Sequence, residues 1–276
     1  MTTLLPSGRT LGVIGAGVMG RTLMKGLLNA GLVEQPQLWA GEKSRATCEK
    51  VAHDLGVAAW HDYHARLPEA AILLVCCKPA QIDEVAAYLR ESGLQPDTLL
   101  ISILAGVTTA RLQTLIDNPW VRSLPNTPSI IGEGMTVICP GATATHDHLA
   151  AAERIFKAVG RCEAVEEKLL NAITALSGCG PAYMYMILEA LSDAGVRLGV
   201  KRDLALQIAA QTMLGSAKMV LETGRHPAAL KDDVTTPGGS TIAGLLALED
   251  GKLRSVVARA VEEAARTVDL LGRSPH

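Results

Sequence analysis

A glycine-rich turn near the amino terminus has the residue types and spacing that hold phosphate groups. Its six residues are Gly15, Ala16, Gly17, Val18, Met19 and Gly20. The turn follows an apolar run at residues 11–14 and precedes a stretch with helical spacing, so it connects a predicted strand to a predicted helix. In such a turn the first glycine allows the tight bend, the second lets the backbone approach a pyrophosphate, and the third lets helix and strand pack closely. Because the helix amino terminus also offers free amides and a partial positive charge, the turn predicts a dinucleotide cofactor.

The residues after the second predicted strand decide which dinucleotide fits. They are Glu42, Lys43, Ser44 and Arg45. An acidic side chain at this point binds the free 2′-hydroxyl of NAD, whereas cationic and hydroxyl groups accommodate the 2′-phosphate of NADP. Glu42 therefore favours NAD(H), and the three residues after it favour NADP(H). We predict NADP(H), with NAD(H) as the alternative cofactor.

A second segment has the composition of an anion-binding loop. It consists of Pro237, Gly238, Gly239, Ser240 and Thr241, and an apolar stretch with helical spacing follows it. Two glycines followed by hydroxyl residues at a helix start resemble a nest of backbone amides combined with a helix cap. Such a nest could hold a substrate carboxylate, with Thr241 supplying a hydroxyl. A capped helix after a tight turn, with no ligand, explains the same residues equally well.

The helical stretch after another glycine-rich turn lacks the Lys or His that usually acts as a general base, and this bears on the reaction class. A glycine-rich turn at residues 177–181 precedes a helical stretch that contains no Lys, Asn or His through Glu189. Dehydrogenases that oxidise alcohols need a general base near the hydride donor, and β-hydroxyacid dehydrogenases of similar layout carry Lys and Asn on this helix. The sequence thus disfavours an alcohol substrate. Reduction of a carbon–nitrogen double bond fits better, because a protonated imine is already electrophilic.

Two kinds of periodicity divide the chain. Up to about residue 165, short apolar runs alternate with helical stretches, and the runs are residues 11–14, 37–40, 71–76, 99–103 and 120–124. This alternation predicts an α/β domain with a doubly wound, mostly parallel sheet over residues 1–165. Beyond it, helical spacing at residues 169–176, 182–198, 202–222 and 252–271 predicts an all-helical domain over residues 166–276.

Composition excludes several other classes of protein. The 276 residues carry a net charge of −2 and only 3% aromatic residues, so neither a basic surface nor base-stacking rings favour nucleic acid. The continuous apolar runs are too short to cross a bilayer, and the amino terminus lacks a signal-peptide pattern. Six cysteines without Cys-x-x-Cys spacing predict reduced thiols and no metal site. We therefore expect a cytoplasmic protein that binds neither nucleic acid nor membrane.

Several motifs, in this order and spacing, resemble the pyrroline-5-carboxylate reductase family. Besides the glycine turn they are Lys-Pro at residues 78–79, Ser-Ile-Leu-Ala-Gly-Val at 102–107, Arg-Ser-Leu-Pro-Asn-Thr-Pro at 122–128, Ser-Gly-Cys-Gly-Pro-Ala-Tyr at 177–183, Gly-Ser-Ala-Lys-Met-Val-Leu-Glu-Thr-Gly at 215–224, His-Pro at 226–227, Leu-Lys-Asp at 230–232 and Pro-Gly-Gly-Ser-Thr at 237–241. The resemblance covers nearly the whole chain. It implies reduction of 1-pyrroline-5-carboxylate to L-proline with NADPH or NADH, the last step of proline biosynthesis.

The same resemblance implies an architecture and a set of site residues. It implies an N-terminal Rossmann domain and a C-terminal helical dimerisation domain, in a homodimer or a homo-oligomer of dimers. On the nicotinamide side and the adjoining wall of the cleft it places Cys77, Lys78, Pro79, Ala105, Gly106 and Asn126. As substrate-binding residues it gives Glu167, Asp232, Pro237, Gly238, Gly239, Ser240 and Thr241. The Thr241 hydroxyl would contact the ring nitrogen and is the candidate catalytic group.

Other interpretations stay open at this point. One is another imine reductase, or a hydroxyacid or ketopantoate-type dehydrogenase, on the same two-domain architecture. Another is a non-catalytic nucleotide sensor, which would not need the loop at residues 237–241. Three places depart from the family pattern: Cys179 stands where the family has Ser, Glu42 stands where it commonly has a small hydroxyl residue, and Asp62-Tyr63 stand where it often has Asn near the adenine.

Overall fold

The apolar runs of the amino-terminal part form one eight-stranded sheet. We describe residues 4–271 from a computed structural model. The strands are β1 (Thr10–Ile14), β2 (Leu38–Gly41), β3 (Ala58–Trp60), β4 (Ala70–Val75), β5 (Leu99–Ser102), β6 (Trp120–Leu124), β7 (Gly134–Pro140) and β8 (Gly160–Ala164). Their order across the sheet is β3-β2-β1-β4-β5-β6-β7-β8. All neighbouring strands run parallel except β6 and β7.

Helices connect the strands and then continue alone. They are α1 (Val18–Asn29), α2 (Arg45–Leu55), α3 (Ile82–Glu91), α4 (Thr109–Leu115), α5 (His146–Lys157), α6 (Leu170–Ile173), α7 (Gly180–Arg197), α8 (Arg202–Thr223), α9 (Pro227–Asp233), α10 (Ser240–Asp250) and α11 (Leu253–Leu271). A π-helical turn at Thr174–Gly178 follows α6 directly. Among the described residues no strand follows β8.

Apolar side chains cover both faces of the sheet. On β4, Ile72 and Leu74 belong to one buried cluster, whereas Leu73 and Val75 belong to another. Since successive side chains of a strand point to opposite faces, the continuous apolar run of β4 requires a layer on each side. The sequence prediction of a doubly wound sheet is confirmed, with one antiparallel pair added.

The register aligns the carboxyl ends of the parallel strands. Ile14 of β1 pairs with Gly41 of β2 and Val75 of β4, and Val75 pairs with Ser102 of β5. The strand order reverses between β1 and β4, because β2 lies on the other side of β1. In open α/β sheets such a reversal leaves a crevice at the carboxyl ends of the strands, and ligands bind there.

Sequence patterns found five strands and missed three. The missed strand β7 opens on Gly134 and holds polar Thr136, and the missed β8 carries Gly160, Arg161 and Glu163. In β7 the apolar run is only the three residues 137–139, and β8 has none, because it is an edge strand that exposes most of its side chains. Helices α4 and α5 were also missed.

Contacts divide the chain into two compact units. One comprises residues up to Gly178 together with residues from Ala265 onward, and the other comprises Cys179–Ala264. The domain boundary near residue 165 stays a prediction that this division does not test. The last helix, α11, contributes residues to both units.

The helical unit leaves many large apolar side chains exposed. Within it α7 packs against α8, where Gly195 faces the Ala205 side chain closely enough that an added Cβ would lie 3.0 Å from it. On the outside, Met186 is 74% exposed and Leu198 is 85% exposed. Among the described helices α8 alone is long and apolar enough to cross a membrane by length and composition, a feature that the sequence reading overlooked. Length and composition do not distinguish a membrane span from a helix that packs against protein.

Candidate functional site

The glycine turn lies at the point where the strand order reverses. Gly15 has a φ of +97°, and a Cβ added to it would lie 2.8 Å from backbone atoms of Cys76 and Cys77 at the end of β4. A Cβ on Gly20 would overlap the carbonyl oxygen of Gly15. Both glycines are therefore required by contacts within the protein. Gly17 differs, since an added Cβ would meet no protein atom within 4 Å, so its open side faces the space that a ligand would use.

A cleft of about 430 Å³ opens beside this turn. Of the predicted cofactor-binding residues it is lined by Gly15, Gly17, Glu42, Lys43, Cys77 and Lys78. His61 and Tyr63 also line it, and so do Gln81, Glu84 and Tyr88, to which the sequence analysis assigned no role. Gly17 caps the amino terminus of α1, and Val18 and Met19 begin that helix. Size, glycine turn and helix terminus fit a dinucleotide.

The residues predicted to select the cofactor interact with groups inside and beside the cleft. The Glu42 carboxylate accepts a hydrogen bond from the Ala16 amide within the glycine turn. Lys43 forms an ion pair with Glu84, and both side chains are exposed. Ser44 occupies the N-cap position of α2, but its side chain makes no capping hydrogen bond there. Arg45 begins α2 and is exposed.

Two neighbouring cysteines follow β4 at the edge of the cleft. All six cysteines of the chain are free. Burial raises the pKa of the Cys77 thiol to about 11, although the backbone and Lys43 oppose part of this shift. Burial also raises the pKa of Cys76 well above its ordinary value. Both thiols are consequently neutral near pH 7 and supply no nucleophile.

The residues predicted for the nicotinamide side follow two adjacent strands, β4 and β5. Lys78 is exposed, and its amide donates to Gln81 Oε1 at 3.1 Å. Pro79 opens a short 3₁₀ turn that leads into α3. Ala105 and Gly106 lie exposed in the loop after β5, and Gly106 has a φ of +78°. The sheet thus brings both groups to its carboxyl edge.

Asn126 uses its whole side-chain amide within the protein. Its Nδ2 donates to the carbonyl oxygen and to the hydroxyl of Ser177, each at 3.2 Å. Its Oδ1 accepts from the Met135 amide at 2.9 Å. Asn126 therefore ties the end of β6 to β7 and to the π-helical turn. A contact between Asn126 and the cofactor stays a prediction.

Both carboxylate oxygens of Glu167 are also engaged. Oε1 accepts from the Thr109 amide at 2.8 Å and from Arg122 Nη1 at 2.9 Å, and Oε2 accepts from the Thr109 hydroxyl at 2.5 Å. Burial alone would raise the pKa of Glu167, but the hydrogen bonds from Thr109 and Arg122 outweigh it and hold the pKa below its usual value. Glu167 is thus a carboxylate held by three donors. Sequence reasoning assigned no role to Thr109 or Arg122, although Arg122 begins one of the family motifs.

The glycine-rich loop of the helical unit leads into α10. Gly239 occupies the N-cap position, so Thr241 is the second residue of the helix and does not cap it. Within the described part of the chain the Thr241 hydroxyl, half-buried, has no hydrogen-bond partner. Gly238 has a φ of +66°, as the turn requires. Asp232 is exposed and forms an ion pair with Lys231 at 2.8 Å. Among the described residues, no cluster of three or more His, Cys, Asp or Glu side chains could hold a metal ion.

Comparisons with known proteins match both parts of the chain. Residues 10–106 match the family model "NADP oxidoreductase coenzyme F420-dependent", and residues 167–270 match "Pyrroline-5-carboxylate reductase dimerisation". A pyrroline-5-carboxylate reductase of Synechocystis is 39% identical over 264 residues, which cover 95% of this chain and 98% of that protein. The chain belongs to the pyrroline-5-carboxylate reductase family.

Two solved structures of pyrroline-5-carboxylate reductases have the same fold as this chain. That from Coxiella burnetii superposes with a TM-score of 0.91 at 32% identity, covering 97% of this chain and all of the other. That from Plasmodium falciparum, which has NADP bound, gives a TM-score of 0.83 at 30% identity, with coverage of 96% and 98%. The predicted Rossmann-type domain and helical dimerisation domain of the pyrroline-5-carboxylate reductase family are confirmed, and with them a homo-oligomeric protein.

Substitution of two glycines should separate cofactor binding from folding. We expect Gly17→Ala to keep the wild-type Tm, because its φ of −65° suits alanine and the added methyl meets no protein atom. The methyl would occupy space that the cofactor backbone needs, so the Kd for NADPH should rise about tenfold or more. Fluorescence titration measures the Kd.

Gly20→Ala is the matched variant. Its methyl group overlaps the Gly15 carbonyl, so both Tm and NADPH affinity should fall. A Gly17→Ala protein that binds NADPH as tightly as the wild type would contradict the assignment of this turn to the cofactor.

Proposed function

We propose that this chain reduces 1-pyrroline-5-carboxylate to L-proline with NADPH or NADH. The observation that carries the proposal is the family relationship over nearly the whole chain, joined to a glycine turn where the strand order reverses. A dehydrogenase acting on hydroxy acids is disfavoured, because residues 182–189 of α7 contain no Lys, Asn or His that could act as a base. Reduction of pyrroline-5-carboxylate, assayed by NADPH oxidation beside a panel of keto and hydroxy acids, tests the proposal.

The chain's own residues divide into two binding tasks. The turn at residues 15–20 holds the pyrophosphate on backbone amides at the start of α1. When bound, the nicotinamide supplies the hydride that the imine carbon receives. The first amides of α10 have no acceptor within their own helix and lie at its positive end, so the segment from Pro237 to Thr241 suits a substrate carboxylate. We include Asp232 in the substrate region on family position alone.

We propose Thr241 as the catalytic residue, acting through its hydroxyl on the ring nitrogen of the substrate. As the imine carbon receives hydride, the ring nitrogen becomes an amine, and a hydroxyl beside it can donate or orient a hydrogen bond throughout. The Thr241 hydroxyl is available for this because no protein group engages it in the described chain. No Lys or His in the matched motifs is positioned by the family pattern for the task.

Thr241→Val removes the hydroxyl and keeps the branched shape. We expect kcat/KM to fall roughly a hundredfold, about 2–3 kcal/mol, if the contact acts mainly in the transition state. Because Gly239 and not Thr241 is the N-cap, the Tm should change little. Thr241→Ser is the control and should keep much of the activity. Wild-type kinetics with a lowered Tm would contradict the catalytic role.

The cofactor preference that we propose is for NADPH. The family model for residues 10–106 and the NADP-bound relative support it. Glu42 opposes it, because a carboxylate on the Ala16 amide would repel a 2′-phosphate held by residues 43–45. We infer that the preference is weakened by Glu42.

Removing this carboxylate should sharpen the preference. We expect wild-type kcat/KM to be higher with NADPH than with NADH, and Glu42→Ser to increase that ratio about tenfold as repulsion is lost. Steady-state kinetics with both cofactors measure the ratio. A ratio that stays the same in Glu42→Ser would show that the carboxylate does not face the ribose phosphate.

For the assembly, we propose a homodimer, or a homo-oligomer of dimers, formed through the helices after residue 165. Large apolar side chains of α7 and α8 are exposed, and a partner subunit would bury them. The family model for dimerisation spans both helices. A partner subunit also explains why α8 is apolar without a membrane. The net charge of −2 supports a small-molecule substrate rather than nucleic acid, and a cytoplasmic location stays a prediction.

Light scattering at low micromolar concentration should find a dimer as the smallest species. The reason is that separate subunits would expose a large apolar surface to water. Activity measured across the same dilution series is the companion observation. A compact, active monomer would contradict the proposed assembly.

A further inference from the structure

The loop between β5 and α4 is held by hydrogen bonds at its two ends and by the buried side chains of Leu104 and Val107. It spans residues 103–108 and includes Ala105 and Gly106, which we propose lie on the nicotinamide side. At its start, the Ile103 amide donates to Val75 O and the Leu104 amide donates to the Ser102 hydroxyl, each at 3.2 Å. In the part of the chain described, the amides of Ala105 and Gly106 donate to no protein acceptor. The position of the exposed tip therefore depends on where the ends are fixed.

Glu167 fixes the end at which this loop enters α4. Thr109, the first residue of α4, donates both its amide and its hydroxyl to the Glu167 carboxylate. Glu167 also accepts from Arg122, and Arg122 pairs with Ser102, the last residue of β5, in the sheet. One carboxylate thus joins the place where the loop leaves the sheet to the place where it starts the helix.

The charges make this connection specific for a carboxylate. The Arg122 side chain is only 4% exposed, and its Nε has no partner, so Glu167 supplies the charge that compensates the buried guanidinium. An amide at position 167 would keep one oxygen that can accept from the Thr109 amide and from Arg122, but it would carry no charge to compensate the guanidinium. Its NH₂ group, in place of Oε2, would oblige the Thr109 hydroxyl to accept instead of donate. A neutral replacement of similar shape would therefore loosen the loop without removing a side chain from the packing.

We propose that Glu167 is a positioning residue for the loop at residues 103–108, and through it for the nicotinamide end of the cofactor, rather than a group that binds the substrate. The proposal rests on the proposed use of a nicotinamide cofactor. Its three hydrogen bonds leave neither carboxylate oxygen without a protein donor. Both oxygens therefore hold Thr109 at the start of α4, although a carboxylate has lone pairs for further donors.

Binding of whole cofactors and of fragments tests the proposal without any turnover. The probes are NADPH against 2′,5′-ADP and NADH against ADP, where each fragment lacks the nicotinamide. In the wild type the whole cofactor should bind more tightly than its fragment. In Glu167→Gln this advantage, the ratio of the fragment Kd to the whole-cofactor Kd, should fall about tenfold, because the loop beside the nicotinamide is less ordered. The Kd of the fragment itself should stay the same.

Kinetics supply the second readout. With pyrroline-5-carboxylate, Glu167→Gln should lower kcat about tenfold and change the KM for that substrate less than about twofold. A raised KM for the substrate with an unchanged advantage of cofactor over fragment would overturn the proposal in favour of substrate binding. A Glu167→Gln protein with a lowered Tm and an unchanged ratio of fragment Kd to whole-cofactor Kd would also overturn it. A wild type that binds whole cofactor and fragment equally well would do the same.

Matched variants guard against a general folding defect. Glu166→Gln makes the same chemical change one residue away, where the exposed carboxylate forms an ion pair with Lys168, and it should alter neither readout. Thr109→Val removes one of the three donors and should shift both readouts in the same direction by a smaller factor, whereas Thr109→Ser should restore them. If the wild type binds the cofactors but does not reduce pyrroline-5-carboxylate, the proposed substrate fails while the fragment comparison still decides the role of Glu167.

Discussion

The close approach of the glycine turn to the end of β4 is the constraint on which the cofactor cleft depends. β1 and β4 are neighbours in the sheet, and Ile14 pairs with Val75, so the chain after β1 must turn directly over the backbone of Cys76 and Cys77. Only a residue without a side chain and with a positive φ satisfies both demands at Gly15. Once this turn is made, α1 starts at the carboxyl edge of the sheet, and its free amides face the crevice where the strand order reverses.

Local patterns were enough to predict the parts of the site that are close in sequence. The glycine turn, the residues after β2 and the start of α3 each follow an apolar run, and the parallel sheet brings such strand ends together. The sequence predicted an apolar helix after residues 237–241, but α10 already begins at Ser240, because the choice of cap depends on backbone angles and Gly239 takes that position. A sequence does not distinguish Gly239, Ser240 and Thr241 as caps when all three stand next to each other at the start of the same helical stretch.

Interactions between distant residues could not be predicted in the same way. Glu167 and Thr109 are 58 residues apart, and Glu167 and Arg122 are 45 residues apart. Nothing in the periodicity of any segment signals that three such residues meet. The same holds for Asn126, whose partners lie on β7 and in the π-helical turn. Strand β8 was missed for a related reason, since an edge strand with exposed polar residues lacks the apolar run that reveals a buried one.

The neutral thiols at the end of β4 have a consequence for the durability of the cleft. Thiolate, not thiol, reacts with peroxides and alkylating agents, and the pKa of about 11 that burial gives Cys77 leaves it with less thiolate near neutral pH than a thiol of ordinary pKa. Cys76, more deeply shielded, carries even less. The backbone that the glycine turn approaches thus belongs to two cysteines, Cys76 and Cys77, and burial keeps both thiols protonated. Sulfur atoms therefore line the wall of the cleft in their less reactive, protonated form.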